Sequence, residues 1–240
     1  MSLFFISDLH LSPARESTTE AFYDFLDNTA KGAESLYILG DFFDIWLGDD
    51  DDTPIYQDII KKLKHYSETG PRLYFMRGNR DFLIGGDFAR RSGATLLKDP
   101  TIITYRQQSL LLMHGDSLCT LDEDYIAFRN MTRSAKWKHE FLSKPLAQRI
   151  EYANQVRQQS KTMSSMKADD IMDVTPKEVE KLMSNYSTPL FIHGHTHRPD
   201  VHQLTINDKA AKRVVLGDWH DSGWYARLDN QEITLTSFDI

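Results

Sequence analysis

The chain has 240 residues, of which 40% are hydrophobic and 26% charged, and its formal net charge is −7. This composition is that of a globular protein and excludes a fibrous or largely disordered chain. No apolar run approaches the roughly 18 residues of a transmembrane helix. We expect the N-terminal segment not to be a signal peptide, because Asp8 interrupts it early. The single cysteine, Cys119, excludes an internal disulfide and a thiolate zinc cluster, favours the cytosol, and is expected to be buried and inert.

Positive charge is concentrated in one segment of this acidic chain. Residues 129–167 contain nine lysines and arginines against only two acidic residues, Glu140 and Glu151. The segment therefore carries +7, which leaves −14 for the rest of the chain. Such a block indicates a surface that meets an anionic ligand, a membrane or a nucleic acid.

Short apolar runs of strand length recur along the chain, and helical patterns separate the early ones. The runs are LFFIS, LYILG, RLYFM, SLLLM and PLFI. Helical spacing of apolar residues predicts helices over 19–32, 54–70 and 175–183, the last with a capping box of Thr175 and Glu178. From residue 213 onward, closely spaced strand patterns predict a β-rich C-terminal part. The alternation of strands and helices predicts an α/β fold.

Residues 121–168, called the cap segment below, carry no strand pattern and mix basic residues with large apolar ones. We interpret them as a helical insertion within a single domain of residues 1–240. The insertion could cover a site as a basic cap, or it could be an exposed helical hairpin with solvated lysines. The aspartate-rich stretch GDDDDTP, residues 48–54, is predicted to be a solvated loop.

Polar clusters follow the C-terminal ends of five runs, which is where sites form in parallel sheets. They are DLH with Asp8 and His10, GDFFD with Asp41 and Asp44, GNRD with Asn79, Arg80 and Asp81, HGD with His114, and GHTH with His195 and His197. Any one alone would be an ordinary polar loop, but five in one order predict a shared site. Imidazoles with carboxylates favour Mn, Zn or Fe over Mg. Two such ions about 3.5–4 Å apart can clamp the attacking and departing oxygens of a phosphate.

The five motifs, in this order, resemble the signature of calcineurin-like metallophosphoesterases. The resemblance implies an αββα sandwich that binds two cations. It places Asp8, His10, Asp41 and His197 around one cation, and Asp41, Asn79, His114 and His195 around the other, with Asp41 as the bridge. Gly194 would then allow a tight turn that aims His195 and His197 at different cations. His193 lies outside the pattern and is expected to be structural.

Arg80 departs from the family pattern, which usually has a histidine at this position. A histidine can protonate an alcohol leaving group, whereas arginine stays charged and can only stabilise negative charge on phosphate oxygens. A phosphate leaving group departs without a proton, so Arg80 indicates cleavage of a pyrophosphate. The alternative is that Arg80 only pairs with Asp81.

A narrower resemblance, to the UDP-2,3-diacylglucosamine hydrolases of lipid A biosynthesis, rests on longer stretches. These are LYILGDFFDIWLGDDD, GNRDFLIG, LLMHGDSLCTLDEDYIAFR, MKADDIMDV and IHGHTHRP. The resemblance implies that UDP-2,3-diacylglucosamine is split into UMP and 2,3-diacylglucosamine 1-phosphate, or lipid X, with two Mn²⁺ ions per chain. It also implies a peripheral position on the cytoplasmic side of the inner membrane.

The same resemblance implies roles for further residues. Asn79 and Arg80 would contact the phosphates and take part in catalysis. The sugar–phosphate head would contact Asp122, Ser160, Lys167 and His195, with Ser164 as a further polar contact. Acyl chains would lie against Phe128 and Phe141, and Tyr125 and Arg157 would lie beside the head.

Two other functions remain open. A soluble nucleotide or protein phosphatase on the same metal core would hydrolyse simple monoesters and tolerate deletion of residues 121–168. A non-catalytic scaffold of the same fold would lack some of the metal ligands. A nucleic-acid ligand is not expected, because no known nucleic-acid-binding motif accompanies the basic residues. No obligate protein partner is inferred from the sequence. An anionic membrane suits their mixture with apolar side chains.

Overall fold

A computed structural model of the protein describes residues 2–164, 171 and 173–240, and the side chains of 159–164 are outside that description. Over the described residues the chain forms eleven β-strands and seven α-helices. The strands are β1 (Leu3–Ile6), β2 (Ser35–Leu39), β3 (Arg72–Met76), β4 (Thr95–Leu97), β5 (Thr101–Tyr105), β6 (Gln108–Leu112), β7 (Leu190–His193), β8 (Asp200–Ile206), β9 (Lys209–Val215), β10 (Ser222–Asp229) and β11 (Glu232–Asp239). The helices are α1 (Glu16–Asp24), α2 (Pro54–Glu68), α3 (Gly86–Ser92), α4 (Glu123–Arg133), α5 (Ala135–Leu142), α6 (Leu146–Ser164) and α7 (Pro176–Tyr186).

The strands form two sheets that pack face to face. One sheet has the order β11-β10-β1-β2-β3-β4 and the other the order β5-β6-β7-β9-β8. Strands β1 to β4 are parallel to one another, as are β6, β7 and β9. The apolar sequences of β1, β2 and β7 fit this arrangement, because strands in the middle of such sheets are buried on both faces.

Three apolar cores separate four layers. The central core joins the two sheets and includes Phe5 and Leu39 from one sheet and Leu112 and Ile192 from the other. Helices α1, α2 and α3 cover the outer face of the first sheet, and α7 covers the second. The layers therefore run helix, sheet, sheet, helix, which confirms the predicted α/β fold and its αββα sandwich.

Local sequence explains most element boundaries, with one correction. Pro54 and Pro176 each occupy the first turn of a helix, where a missing N–H costs nothing. The capping box predicted at α7 is absent: the side chain of Thr175 makes no cap hydrogen bond. Its hydroxyl instead lies 2.7 Å from that of Thr120, so a tertiary contact replaces the local cap. Strands β10 and β11 confirm the β-rich C-terminal part.

The aspartate-rich stretch 48–54 is only partly the solvated loop that the sequence indicates, because Asp50 and Asp52 are exposed whereas Gly48 and Asp51 are buried. Asp49 accepts hydrogen bonds from the backbone N–H groups of Gly85 and Phe88, at the start of α3. Asp51 is buried and accepts from the N–H of Thr53, just before α2. The stretch therefore organises the starts of two helices, a tertiary role that four successive aspartates do not reveal.

The cap segment contains α4, α5 and α6, and its arginines pair with aspartates in the rest of the chain. Arg149 on α6 is almost fully buried and pairs with Asp50, at 2.9 Å between Nη1 and Oδ1. Arg157, about two helical turns further along α6, pairs with Asp44. Part of the positive charge in this segment therefore serves attachment to the core. Among the described residues, none of the helices is long and apolar enough to cross a membrane.

Cys119 provides a direct test of this packing. Its thiol is 2% exposed, and burial raises its pKa to about 12. Because the reactive species is the thiolate, we expect no reaction with a thiol reagent at pH 8 in the native protein. Titration with such a reagent should then label one thiol per chain only after unfolding in denaturant. Rapid labelling of the native chain would contradict the buried position.

Candidate metal centre

Seven predicted ligands follow strand ends at a shared edge of the two sheets. The residues that follow β1, β2 and β3 come from one sheet, and those that follow β6 and β7 come from the other. They are Asp8 and His10 after β1, Asp41 after β2, Asn79 after β3, His114 after β6, and His195 and His197 after β7. Strands that run in parallel bring their C-terminal ends together, so residues far apart in the chain meet here.

Five of these residues hold a left-handed backbone conformation that non-glycine residues seldom adopt. The φ angles are 59° at Asp8, 50° at His10, 50° at Asp41, 70° at His195 and 54° at His197. The other non-glycine residues with positive φ that the structure describes lie in three hairpin turns and at the end of α7. Each such residue costs on the order of 1–3 kcal/mol, and such strain clusters at functional sites.

Backbone hydrogen bonds hold these strained residues in place. The N–H of Asp8 donates to the carbonyl of Gly40 at 3.0 Å, and the N–H of His10 donates to that of Asp41 at 3.0 Å. The N–H of Trp219, a fully buried residue, donates to the carbonyl of Asp8 at 3.1 Å. The loops after β1 and β2 therefore brace one another.

Gly194 allows a close approach of two loops, a reason for the glycine beyond the turn predicted from sequence. A Cβ at this position would lie 2.3 Å from Oδ2 of Asp8 and 2.2 Å from Oγ of Ser7. Its φ is not in the left-handed region, whereas His195 and His197 themselves adopt it. The glycine thus lets the loop after β7 lie against Asp8, whose Oδ2 accepts from the N–H of His195 at 2.9 Å.

The first cluster consists of Asp8, His10 and His197. The Nε2 atoms of His10 and His197 lie 3.3 Å apart, and Nε2 of His197 lies 3.4 Å from Oδ1 of Asp8. That Oδ1 is buried and accepts no hydrogen bond among the described residues. Ligand atoms of all three residues lie within 4.8 Å of one another. The Nε2 atoms of His10 and His197 thus lie close to Oδ1 of Asp8, an oxygen that accepts no hydrogen bond from the described residues.

The second cluster consists of Asp41, His114 and His195, with Asn79 between the two imidazoles. Oδ1 of Asn79 lies 2.8 Å from Nε2 of His114 and 2.8 Å from Nδ1 of His195. Nδ1 of His114 donates to the carbonyl of Leu39 at 2.9 Å, which directs Nε2 into the cluster. Nε2 of His114 also lies 3.6 Å from Oδ1 of Asp41.

Burial and mutual charges shift the pKa values of these groups in opposite directions. Burial raises the pKa of Asp41, and the charge of nearby Asp8 raises it further. Burial alone would lower the pKa of His114, but the carboxylates of Asp41 and Asp8 raise it to about 9. Burial lowers the pKa of His10 to about 4, and burial with the charge of His114 lowers that of His195 to about 4. Divalent cations would satisfy the carboxylates and the neutral imidazoles together, so the residues fit a pair of cations bound by nitrogen and oxygen.

Comparison with known proteins decides the family. The family model of calcineurin-like phosphoesterases matches residues 1–199. The UDP-2,3-diacylglucosamine hydrolase of Cellvibrio japonicus is 48% identical over 240 residues, which cover 100% of both chains. That of Chromohalobacter salexigens is 48% identical over 231 residues, which cover 96% of this chain and 94% of the relative. The chain belongs to the UDP-2,3-diacylglucosamine hydrolase family.

A solved structure of an archaeal phosphodiesterase shares the fold. It superposes with a TM-score of 0.50 and 12% identity, over 99% of this chain and 100% of the other. Membership of the calcineurin-like phosphoesterase family implies a dinuclear metal site. The two clusters supply candidate ligands for it. A non-catalytic scaffold would lack ligands, so this alternative is not favoured. The bridging role of Asp41 stays a prediction, and Asp44, paired with Arg157, is in neither cluster.

Arg80 lies at this site without the simple pairing that was the alternative. Its backbone N–H donates to Oδ1 of Asp41 at 2.7 Å, and the charge of its exposed side chain lowers the pKa of His10. The carboxylate of Asp81 accepts instead from the N–H groups of Phe42 and Gly78, at 2.8 and 2.7 Å. No ion pair joins Arg80 to Asp81 among the described residues, and the charge of Arg80 lowers the pKa of Asp41 as well as that of His10.

The predicted substrate contacts on the cap segment occupy varied positions. Asp122 caps α4 by accepting from the N–H of Tyr125 at 3.1 Å. The ring of Tyr125 stacks on that of His195, with centroids 6.0 Å apart. Phe128 is half-buried, whereas Phe141 is 5% exposed and stacks on Trp137. Lys167 lies outside the described residues, as do the side chains of Ser160 and Ser164 on α6. These contacts stay predictions.

Sequence reasoning missed Asp116, the aspartate of the HGD motif. Its carboxylate is fully buried and accepts from the Tyr125 hydroxyl at 2.6 Å. The signal was present, since an acidic residue two positions after a predicted ligand lies at the same strand end. Its partners, however, lie on a helix whose docking the sequence does not reveal.

The close approach at Gly194 predicts a specific defect. In a Gly194→Ala variant the new methyl group would overlap Oγ of Ser7 and Oδ2 of Asp8. Both residues are fully buried, so we expect the overlap to displace Asp8 from His10 and His197. We expect loss of metal from the first cluster and a fall in turnover of about 100-fold, the cost of a displacement near 1 Å at a reacting centre. Metal content by mass spectrometry and steady-state rates would measure both.

Gly86→Ala is the matched control, because a Cβ at Gly86 would meet no atom within 4 Å. This variant should keep full metal content and gain up to about 1 kcal/mol in stability. A Gly194→Ala protein that kept the metal content and turnover of the control would contradict the close-approach argument.

Proposed function

We propose that this chain hydrolyses the pyrophosphate bond of UDP-2,3-diacylglucosamine, giving UMP and 2,3-diacylglucosamine 1-phosphate (lipid X) in lipid A biosynthesis. The observation that carries the proposal is Arg80 beside two clusters of candidate metal ligands, in a chain that matches hydrolases of this name from end to end. The position of Arg80 favours a charged phosphate as the leaving group over an alcohol.

Two Mn²⁺ ions per chain are the proposed cofactors. Asp8, His10 and His197 would hold one and Asn79, His114 and His195 the other, with Asp41 bridging both. Four imidazoles among oxygen ligands favour Mn²⁺ or another borderline cation over Mg²⁺. When bound, such a pair supplies positive charge that lowers the pKa of an attacking water and neutralises phosphoryl oxygens.

Asn79 and Arg80 would orient the diphosphate. Oδ1 of Asn79 faces His114 and His195, so its NH₂ group can donate to a phosphate oxygen. The guanidinium of Arg80 can form two parallel hydrogen bonds to phosphate oxygens and stays charged at any working pH. It would therefore stabilise the charge that develops as the pyrophosphate bond breaks.

The cap segment would cover the diacylglucosamine half of the substrate. Tyr125, stacked on His195, and Arg157, paired with Asp44, lie where α4 and α6 meet the metal-site loops. In the proposed arrangement the polar head lies against Asp122, Tyr125, Arg157, Ser160, Ser164, Lys167 and His195, and the acyl chains lie against Phe128 and Phe141.

Substrate preference tests the proposal. With Mn²⁺ present, we expect hydrolysis of UDP-2,3-diacylglucosamine and little hydrolysis of a generic phosphomonoester. An Arg80→His variant should keep its metal but lose turnover by about 100-fold to 1,000-fold, as for removal of a donor that stabilises developing charge. Release of UMP and metal content would be measured for each protein.

Arg80→Lys serves as the control for charge without the planar fork, and its rate should lie between those of wild type and Arg80→His. Faster hydrolysis of the monoester would instead support the soluble phosphatase. An Arg80→His protein with the wild-type rate would remove the role proposed for Arg80.

We also propose that the protein binds peripherally to the cytoplasmic side of the inner membrane through the cap segment. Five of the seven most exposed large apolar side chains that the structure describes lie there: Leu121, Met131, Leu142, Ile150 and Tyr152. Lys136, 85% exposed on α5, adds positive charge beside them. Apolar side chains with lysines between them suit an interface with anionic lipids.

Vesicle binding tests this second proposal. A Leu142→Ser/Ile150→Ser variant should bind vesicles of phosphatidylethanolamine and phosphatidylglycerol at least about 10-fold more weakly, because each buried aliphatic side chain contributes about 1.5–3 kcal/mol. Tyr186→Ser is the control, since Tyr186 is 43% exposed but lies on α7, outside the cap segment. Equal co-sedimentation of both variants with vesicles would argue against membrane docking by this surface.

A further inference from the structure

Asp116 gathers three donors from a single cap helix. Its Oδ2 accepts from the hydroxyl of Tyr125 at 2.6 Å, from Nε of Arg129 at 2.8 Å and from Nη2 of Arg133 at 3.4 Å. All three donors lie on α4, whereas Asp116 itself begins a 3₁₀ turn, Asp116–Leu118, two residues after His114. A fully buried carboxylate is costly unless it is paired, so this contact strongly favours one docked position of α4.

Arg133 extends this contact to the loop that carries Asn79. Its Nη2 also donates to the carbonyl of Gly78 at 2.8 Å, and its guanidinium lies 4.5 Å from the ring centroid of Phe82. The side chain of Arg133 thus joins Asp116, which follows β6, to Gly78 and Phe82 in the loop after β3.

Gly78 has little freedom to move independently of the metal cluster. A Cβ on Gly78 would lie 2.2 Å from Oδ1 of Asp41, so its backbone already lies directly against that carboxylate. Its N–H donates to Oδ1 of Asp81 at 2.7 Å. The next residue is Asn79, whose Oδ1 faces both imidazoles of the second cluster. A shift of the Gly78 carbonyl would therefore move Asn79 and disturb Asp41.

Arg129 offers an internal comparison. It shares the carboxylate of Asp116, but its other acidic neighbour is Asp99, with Nη2 and Oδ2 3.8 Å apart, away from the Gly78 loop. Arg129 and Arg133 lie one helical turn apart and have nearly equal exposure, 21% and 20%. They differ in that Arg133 also contacts Gly78 and Phe82 in the loop after β3, whereas Arg129 also pairs with Asp99.

We propose that Arg133, held by Asp116, is a positioning residue that couples the docking of α4 to cation binding at the second cluster. The inference rests on the proposed function only in that the cluster of Asp41, Asn79, His114 and His195 binds a cation. Because such coupling is reciprocal, a cation in this cluster also stabilises the docked position of α4. The cap segment and the metal site then form one cooperative unit.

The test compares Arg133→Met with Arg129→Met in the full-length protein. Mn²⁺ binding is measured by equilibrium dialysis, and amide hydrogen exchange of α4 is measured with and without Mn²⁺. Arg133→Met should weaken one of the two Mn²⁺ sites by about 10-fold to 100-fold, the usual cost of losing a group that orients metal ligands. Arg129→Met should change it by less than about 3-fold. Mn²⁺ should slow exchange of α4 in wild type and in Arg129→Met, but not in Arg133→Met.

A second variant covers the case in which Arg133→Met does not fold. Arg133→Lys keeps the charge that Asp116 requires but cannot span both acceptors, so it should fold and still bind Mn²⁺ more weakly at one site. Equal Mn²⁺ affinities in the Arg129 and Arg133 variants would show a role in helix packing alone and would overturn the coupling.

These readouts do not use the substrate, so they separate this inference from the proposed function. Failure to hydrolyse UDP-2,3-diacylglucosamine would overturn the function and leave the coupling standing. Equal Mn²⁺ affinities would overturn the coupling and leave the function standing. A wild-type chain that binds no Mn²⁺ would overturn both.

Discussion

Asp8 and Asp41 are buried carboxylates close enough for the charge of one to raise the pKa of the other, and the surrounding loops hold them together. Oδ2 of Asp8 accepts from Ser7 and from the N–H of His195, and Oδ1 of Asp41 accepts from the N–H of Arg80. Like charges at this depth are stable only with compensation from imidazoles, N–H groups or cations. The five candidate ligands with left-handed backbone lie in these loops, and the close approach at Gly194 places the N–H of His195 within hydrogen-bond distance of Asp8.

The division of charge between an acidic core and a basic cap segment has a structural meaning. Four arginines of the cap segment pair with three core aspartates: Arg129 and Arg133 with Asp116, Arg149 with Asp50, and Arg157 with Asp44. Asp116 and Asp44 belong to motifs that also supply the candidate ligands His114 and Asp41, and Asp50 lies six residues after Asp44. The cap is therefore attached to the loops that form the metal site. Two lysines of the segment also have contacts: Lys136 pairs with Glu140 on its own helix, and the ammonium of Lys138 lies 5.9 Å from the ring centroid of Phe82.

The sequence predicts the sandwich and the candidate ligands because both depend on local patterns. Apolar runs predict strands, and polar residues at their C-terminal ends must meet when the strands are parallel. Contacts between distant elements escape this reasoning. Asp116 requires the docked α4, Asp49 accepts from the N–H of Gly85, 36 residues later and just before α3, and the hydroxyl of Thr175 contacts Thr120 instead of capping its own helix. The left-handed conformation of His195 is also not revealed by the local pattern, because non-glycine residues adopt it in only a few per cent of cases.

Each cluster combines residues from both sheets, since Asp8 and His10 meet His197 across the sandwich, and Asp41 and Asn79 meet His114 and His195. A ribosome must therefore synthesise the chain through His195 before the second cluster has its full ligand set, and through His197 before the first has. A growing chain that has formed only strands β1 to β4 offers Asp8 and Asp41 but lacks the imidazoles that follow β6 and β7. Binding of a cation by a complete cluster would therefore occur late in synthesis. The bound cation would then hold the loops after β1, β2 and β3 against the loops after β6 and β7.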